Sequence, residues 1–485
     1  MVDKPEKLSP GRKAAFACGD VFGGGAFNIL NFLYPAYAAL TLGLGASLTG
    51  IIVMLSKIWD AVTDPFMGLI SDGTRSRMGK RRVYILAGAP LVLVSMVLLF
   101  FPWNISSTAL RFIAALLSHM FFATVETMVM IPYYSLSSEI SSDYTERAKA
   151  NTLRIGFSVA SSIVCVAVPN LIVNAVGQPS GYIVMSVAFG LLFALTLTVT
   201  ALWAKEEVVS PPVRAKFSFK EFVKPLRCKS FRGYMGMQVC AGTTMAVMSG
   251  VFFFYIMYVV KSGNTLAAGG VGDGLGTMAA GVMFAMQIVA LPLYLKIIRA
   301  KSKASAYRVG AAGWIAVAFL LLFVPPDLPD SLNWIIFVMA ALIGLGVSGA
   351  VLAPHTMIGD VNDAFELQFG ARSEGAVSGL LNLLNKTGQA LGVGIALNLL
   401  ELAGGFVNPA PGEYIAAQPQ SAQTMLTLFM ALTPLVIMTI GILISRRYKI
   451  TEQKQREIAD FNARFAAAEN KAALEEERQR LLDTL

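Results

Sequence analysis

Charged residues are scarce in this chain: Asp, Glu, Lys and Arg make up 14% of its 485 residues, and histidine occurs only 2 times. A soluble domain carries about a quarter charged residues, so the shortage excludes water as the chain's main solvent. Cysteine is equally rare. Cys18, Cys165, Cys228 and Cys240 form no CxxC pair and fall mostly in apolar stretches, which argues against a disulfide framework or a cysteine metal site. No Ser/His/Asp set, HExxH motif or phosphate-binding loop is present, and His119 and His355 are the sole imidazoles. The sequence therefore does not read as an enzyme, and no cofactor is expected.

Apolar residues are abundant, at 55% of the chain. Runs long enough to cross a bilayer, about 20 residues each, recur between short charged or Gly/Pro-rich turns. The expected spans are 13–42, 47–71, 82–102, 109–137, 150–176, 181–204, 233–260, 274–299, 305–325, 332–359, 375–402 and 423–445. A transmembrane β-barrel would instead show alternating segments of about ten residues. The fold class expected is therefore all-α and integral to the membrane, with twelve helices in two groups. Residues 1–204 form the first six-helix bundle, 205–232 a basic linker loop, 233–445 the second six-helix bundle and 446–485 a helical tail. The first apolar stretch carries Asp20 and Asn28 and lacks a small-residue cleavage site, so a cleaved signal peptide is not expected.

The net charge of +9 would suit nucleic acid if it were spread evenly. It is not: Lys4, Lys7, Arg12 and Lys13, then Arg75 to Arg82, 205–232, Lys296 to Arg308, and Arg446 to Lys449 all fall on one side of a twelve-helix topology. That is the positive-inside pattern of an inner (plasma) membrane protein with cytoplasmic termini, and it removes the case for nucleic acid. The partners expected are the lipid bilayer, a small-molecule solute and a monovalent cation, with the chain acting as a monomer. The tail, rich in helix formers with mixed charges, reads as a solvated cytoplasmic helix.

An ionisable group at mid-bilayer costs about 2.5–3.5 kcal/mol on insertion scales, so each one needs a partner or a purpose. Asp60 and Asp64 stand four residues apart, on one face of the second span. Two carboxylates that close in low dielectric must bind a cation or retain a proton, and either makes a coupling site for Na+ or H+. Pro65 frees a carbonyl one turn back as a further ligand. A bland alternative is that the pair neutralises Arg75 and Arg77. Glu126, beside Thr127 in the fourth span, is either a third carboxylate facing the pair or a structural partner of Arg154 or Lys386. Asp20, among Gly19, Gly23, Gly24 and Gly25, and Arg154 offer an acceptor and donors to a hydroxyl-rich solute, or else form a plain buried ion pair.

The stretch Lys57 to Pro90, KIWDAVTDPFMGLISDGTRSRMGKRRVYILAGAP, resembles the glycoside-pentoside-hexuronide:cation symporter family, the melibiose permease-like branch of the major facilitator superfamily. A second match is the loop expected between spans ten and eleven, where Asp360, Asp363, Glu366, Gly370, Arg372, Glu374 and Gly375 follow the family pattern. Further agreement lies at Asp20, IPYYSL (131–136), Arg154 and NKTGQALG (385–392), so the resemblance covers the membrane domain but not the tail. It implies a major facilitator fold. It also implies cation-site roles for Asp60, Asp64 and Thr127, with Lys386 approaching from the other half. Asp20 and Arg154 would contact sugar, Tyr134 would be a stacking platform, and Asp72 and Arg75 would pair with 360–374 as a cytoplasmic gate between the bundles. The chain departs from the family at Met130, where sodium-coupled members carry aspartate, and near Val351, where an aromatic residue is expected. The resulting expectation is cation-coupled symport of a sugar or glycoside by alternating access. Relatives with these motifs also move lysolipids, so a carrier of a lysolipid or other amphiphile is the alternative, and a non-transporting membrane sensor is a third reading.

Overall fold

The computed structural model describes residues 8–141, 144–206, 219–260, 274–370, 374–408, 417–467 and 474–484, and its regular structure is helical throughout. Helix α1 covers 10–41 as a series of short pieces, including the wider π turns Ile29–Leu33 and Tyr37–Thr41. It starts where Ser9 accepts a hydrogen bond from the Arg12 amide and Pro10 fixes the first turn. The first half continues through α2 (Gly45–Asp72), α3 (Arg82–Leu99), α4 (Thr108–Glu139), α5 (Tyr144–Val176) and α6 (Ser180–Trp203). The second half holds α7 (Lys229–Val260), α8 (Leu275–Ala300), α9 (Lys303–Phe323), α10 (Trp334–Phe369), α11 (Glu374–Leu402) and α12 (Gln420–Ser445). Two tail helices follow, α13 (Glu452–Ala467) and α14 (Glu475–Asp483).

Among the described residues, 10 helices are long and apolar enough to cross a membrane: α2 to α10 and α12. The other two expected spans fall short for physical reasons. Helix α1 is broken into pieces, and α11 carries Asn382, Asn385, Lys386, Gln389, Asn398 and Glu401 within an otherwise apolar helix. Leu110, Leu117, Leu195 and Val289 point outward and are more than half exposed. Leaving such side chains in water forgoes about 1.5–3 kcal/mol each, so this surface belongs in lipid. The four cysteines are free.

Small residues let the helices approach within each half. A Cβ on Gly24 would collide with Ser158 Oγ, where α1 crosses α5, and one on Gly310 would meet the Gly346 carbonyl oxygen at 2.7 Å, where α9 crosses α10. Between the halves, α2 packs along α11. A Cβ on Gly50 would stand 3.1 Å from the Gly394 carbonyl oxygen, and Ser47 seals that end with two donated hydrogen bonds. Its amide donates to Glu401 Oε2 (2.7 Å) and its hydroxyl to Asn398 Oδ1 (2.5 Å). Asn170 donates to Thr277 Oγ1 at 3.0 Å between α5 and α8, and Phe32 of α1 meets Phe252 and Phe284 edge-on.

The opposite, basic end is organised differently. Arg81 is buried against Ser71, Asp72 and Glu139, and Lys80 reaches Glu139 at 2.9 Å. Burial works against the Arg81 charge, but its bonds to Glu139 and Asp72 outweigh that and raise its pKa above the ordinary value. In the second half, Lys303 Nζ holds Asp360 at 2.7 and 2.8 Å, and Tyr448 donates to the same carboxylate.

Three expectations require correction here. Asp72 pairs with Arg81 of its own half rather than with 360–374, and Arg75 is exposed to solvent. Asp360, Asp363 and Glu366 do not lie in a loop: α10 runs on to Phe369 because Val361, Ala364, Phe365 and Leu367 continue its buried stripe, and Gly370 (φ 72°) ends it. Arg372 lies outside the described residues. The tail is not merely solvated. Gln455 donates to Asp363 Oδ2 (2.9 Å), Asn462 to the Asp363 carbonyl (2.9 Å) and Arg478 to the Leu367 carbonyl (2.8 Å), while Ile458 and Phe461 are buried.

Candidate functional site

A cavity of about 420 Å³ lies between the halves, bounded by α1, α2 and α4 on one side and α7, α10 and α11 on the other. Its size falls within the range of small-molecule sites, roughly 300–1,000 Å³. The charged groups gather where α2 faces α11. Thr127 Oγ1 sits 2.5 Å from Asp60 Oδ1 and 2.9 Å from Asp64 Oδ1, and Lys386 Nζ lies 2.6 Å from Oδ2 of each aspartate. One ammonium thus bridges two carboxylates across the seam between the halves. Such a pair is stable only while the bridge or a substitute cation is present, because a bare buried carboxylate is strongly penalised.

The elements that set this geometry are regular. Residues 57, 60 and 64 share one face of α2 at helical spacing, and Pro65 lies within the helix without ending it. On α11 the polar residues Asn382, Asn385, Lys386 and Gln389 form one stripe at three- and four-residue spacing, and that stripe lines the cavity. Lys57, which lies on the cavity wall, donates to Asn31 Oδ1 (2.9 Å) and Gln389 Oε1 (3.0 Å). Glu126 faces the same space, and its charge acts on Lys57 together with that of Asp60. Three acids (Asp60, Asp64, Glu126) and two bases (Lys57, Lys386) line the cavity.

The remaining expected residues divide. Tyr134 lines the cavity beside Met130. Asp20 and Arg154 do not line it: they lie behind Tyr134 and Gly23, with Arg154 Nε 3.8 Å from Asp20 Oδ2 and the guanidinium 5.5 Å from the Tyr134 ring centre. Arg154 therefore associates with Asp20 and not with Glu126. Sequence reading passed over Lys57, Gln238, Asn385 and Gln389. A usable signal existed for all but Gln238: Lys57 precedes Asp60 by three residues on the same stripe, and the amides flank Lys386 at helical spacing. Among the described residues no group of three or more His, Cys, Asp or Glu is arranged to hold a metal ion.

A helical membrane protein with a charged, solute-sized cavity between two bundles is a solute carrier of the major facilitator type. The chain belongs to the MFS/sugar transport protein family, whose profile matches residues 15–452. Similar curated proteins include an uncharacterized symporter of Synechocystis, 26% identical over 93% of this chain and 96% of its own length. A putative glycoside/cation symporter of Escherichia coli is 24% identical (95% and 96%), and a sodium-dependent lysophosphatidylcholine symporter of Gallus gallus is 23% identical (93% and 89%). A solved structure of a bacterial homologue of human drug peptide transporters shares the fold, with a TM-score of 0.63 at 14% identity over 90% of this chain and 97% of that one.

Proposed function

We propose that the protein is a secondary carrier that moves a sugar or glycoside together with Na+ or H+ across the inner membrane by alternating access. It acts as a monomer of twelve crossings with both termini in the cytoplasm, its halves spanning 1–204 and 233–445. The observation that supports this most is the Asp60/Asp64 pair bridged by Lys386 from the opposite half, at the wall of a cavity that Glu126 and Lys57 also line. The coupling cation displaces or supplements the ammonium, neutralises the wall and lets the halves close over solute. Met130, 4% exposed, supplies no hard ligand, so H+ has as strong a claim as Na+. Tyr134 stacks against the solute, with Asp20 and Arg154 fixing Tyr134 and closing on the solute in a later state.

The conformation fits a carrier open toward the basic, cytoplasmic end: Ser47, Asn398 and Glu401 close the other end, while Asp72 and Asp360 each pair within their own half. A lysolipid is the second reading, favoured by the apolar side chains Phe27, Ile131, Met245 and Val351 on the cavity wall and by the name of the avian relative. Uptake into proteoliposomes under a Na+ or pH gradient decides. Concentrative uptake of a glycoside that collapses with the gradient supports the proposal; uptake of lysophosphatidylcholine alone transfers it to the second reading.

A further inference from the structure

The two walls of the cavity differ in what they have left to offer a ligand. On the α2 side Asp60, Asp64 and Lys57 already have partners in Lys386, Thr127, Gln389 and Asn31. On the other side Gln238 of α7, His355 of α10 and Asn385 of α11 are neutral, and two of their acceptors are idle. Gln238 of α7 is 8% exposed, lines the cavity, and its Oε1 has no hydrogen-bond partner. Its Nε2 lies 3.5 Å from His355 Nε2 of α10, the second imidazole of the chain, which also lines the cavity. Asn385 Oδ1 of α11 is buried without a partner, packed over Gly242 so closely that a Cβ there would collide with it. Buried carbonyl oxygens without donors are costly and rare, and these two belong to residues that line the cavity.

Resting on the carrier reading above, we propose that Gln238, His355 and Asn385 form a neutral recognition wall for the hydroxyl groups of a polyhydroxylated solute, apart from the charged ion wall. The chemistry of the wall sets the ligand class. The two idle oxygens accept, so the solute must bring O–H or N–H donors to them; a carboxylate or phosphate oxygen cannot pair with either. Selection by such groups is steep, since a solute lacking the matching hydroxyl leaves the oxygens unpaired again.

The test uses the full-length protein in detergent and thermal-shift titrations with p-nitrophenyl galactoside, glucoside, xyloside and glucuronide, and with lysophosphatidylcholine. One glycoside should bind the native protein. Gln238→Met and Asn385→Leu should weaken it tenfold or more, and Gly242→Ala, which pushes the Asn385 amide without removing a polar group, should weaken it about threefold. Stabilisation by Na+ or acid should persist in all three, reporting a folded ion wall. The deoxy analogue of that glycoside should bind the native protein less well than the parent, yet bind Gln238→Met as well as the parent does. Equal affinity in native and variant proteins would overturn the wall while leaving the carrier standing. Binding of lysophosphatidylcholine alone, unchanged in the variants, would overturn it too. Absence of any response to solute, Na+ or acid in the native protein would remove the carrier reading with it. Should Gln238→Met lose its ion response, Gly242→Ala decides instead, because it keeps every hydrogen-bonding group.

Discussion

The ion wall and the neutral wall of the cavity are built from the same kind of element, a long apolar helix with a polar stripe, yet they handle polarity in opposite ways. On the α2 side Asp60, Asp64 and Lys57 are each answered by another charge or an amide, so these groups hold each other in register across the seam. On the α7 side two amide oxygens are buried and idle. The difference teaches that a satisfied polar cluster fixes structure and awaits an exchange of cations, whereas an unsatisfied one awaits a new partner.

The sharpest way to break the contrast is at Asp64. Asp64→Asn removes one of the two charges that Lys386 bridges, and gradient-driven uptake should fall a hundredfold or more while the melting temperature holds; normal concentrative uptake would sink the coupling assignment. Next is Lys386→Met, which leaves two neighbouring buried carboxylates without their ammonium. It should lower stability by about 2–4 kcal/mol, and Na+ or low pH should restore much of the loss in a thermal melt, since either neutralises the pair. Lys57→Met removes a cation whose partners are neutral oxygens. It makes the wall more negative, so cation affinity should rise several-fold by titration, where the loss of Lys386 acts on structure as well.

Smaller effects are expected away from the cavity. Phe461→Ala empties a site that is 1% exposed under α10; the tail should undock and become open to protease, while the bundle melts within about 1 kcal/mol of the native protein, as its packing is untouched. Arg75→Ala should change neither stability nor uptake beyond about 0.5 kcal/mol, because the side chain is exposed and Asp72 is held by Arg81.

Much of this was legible in the sequence because lipid imposes a strong pattern. Helix boundaries followed from runs of apolar residues, and Asp60 and Asp64 stood out as charges where the bilayer tolerates none. The misreadings have a common cause. Arg81, Lys57 and the α10 extension all depend on which neighbour a side chain meets in space, and spacing along one helix says nothing of that. Asp72 was expected to pair with 360–374 across the halves, but here the helix end turns it toward Arg81. The tail was read as solvated because its charges dominate, although Ile458 and Phe461 are enough to anchor it when Asp363 supplies the hydrogen bonds.

The glycine contact between α2 and α11 sits near one end of both helices, at Gly50 and Gly394. Some 20 residues of α11 lie between it and Glu374, an arm of about 30 Å at 1.5 Å per residue. A tilt of about 10° at that fulcrum would swing the far end by roughly 5 Å, with the arm length taken from the same helical rise. Since a Cβ on either glycine would crowd the fulcrum, a single methyl group added there would restrict how far that end could swing.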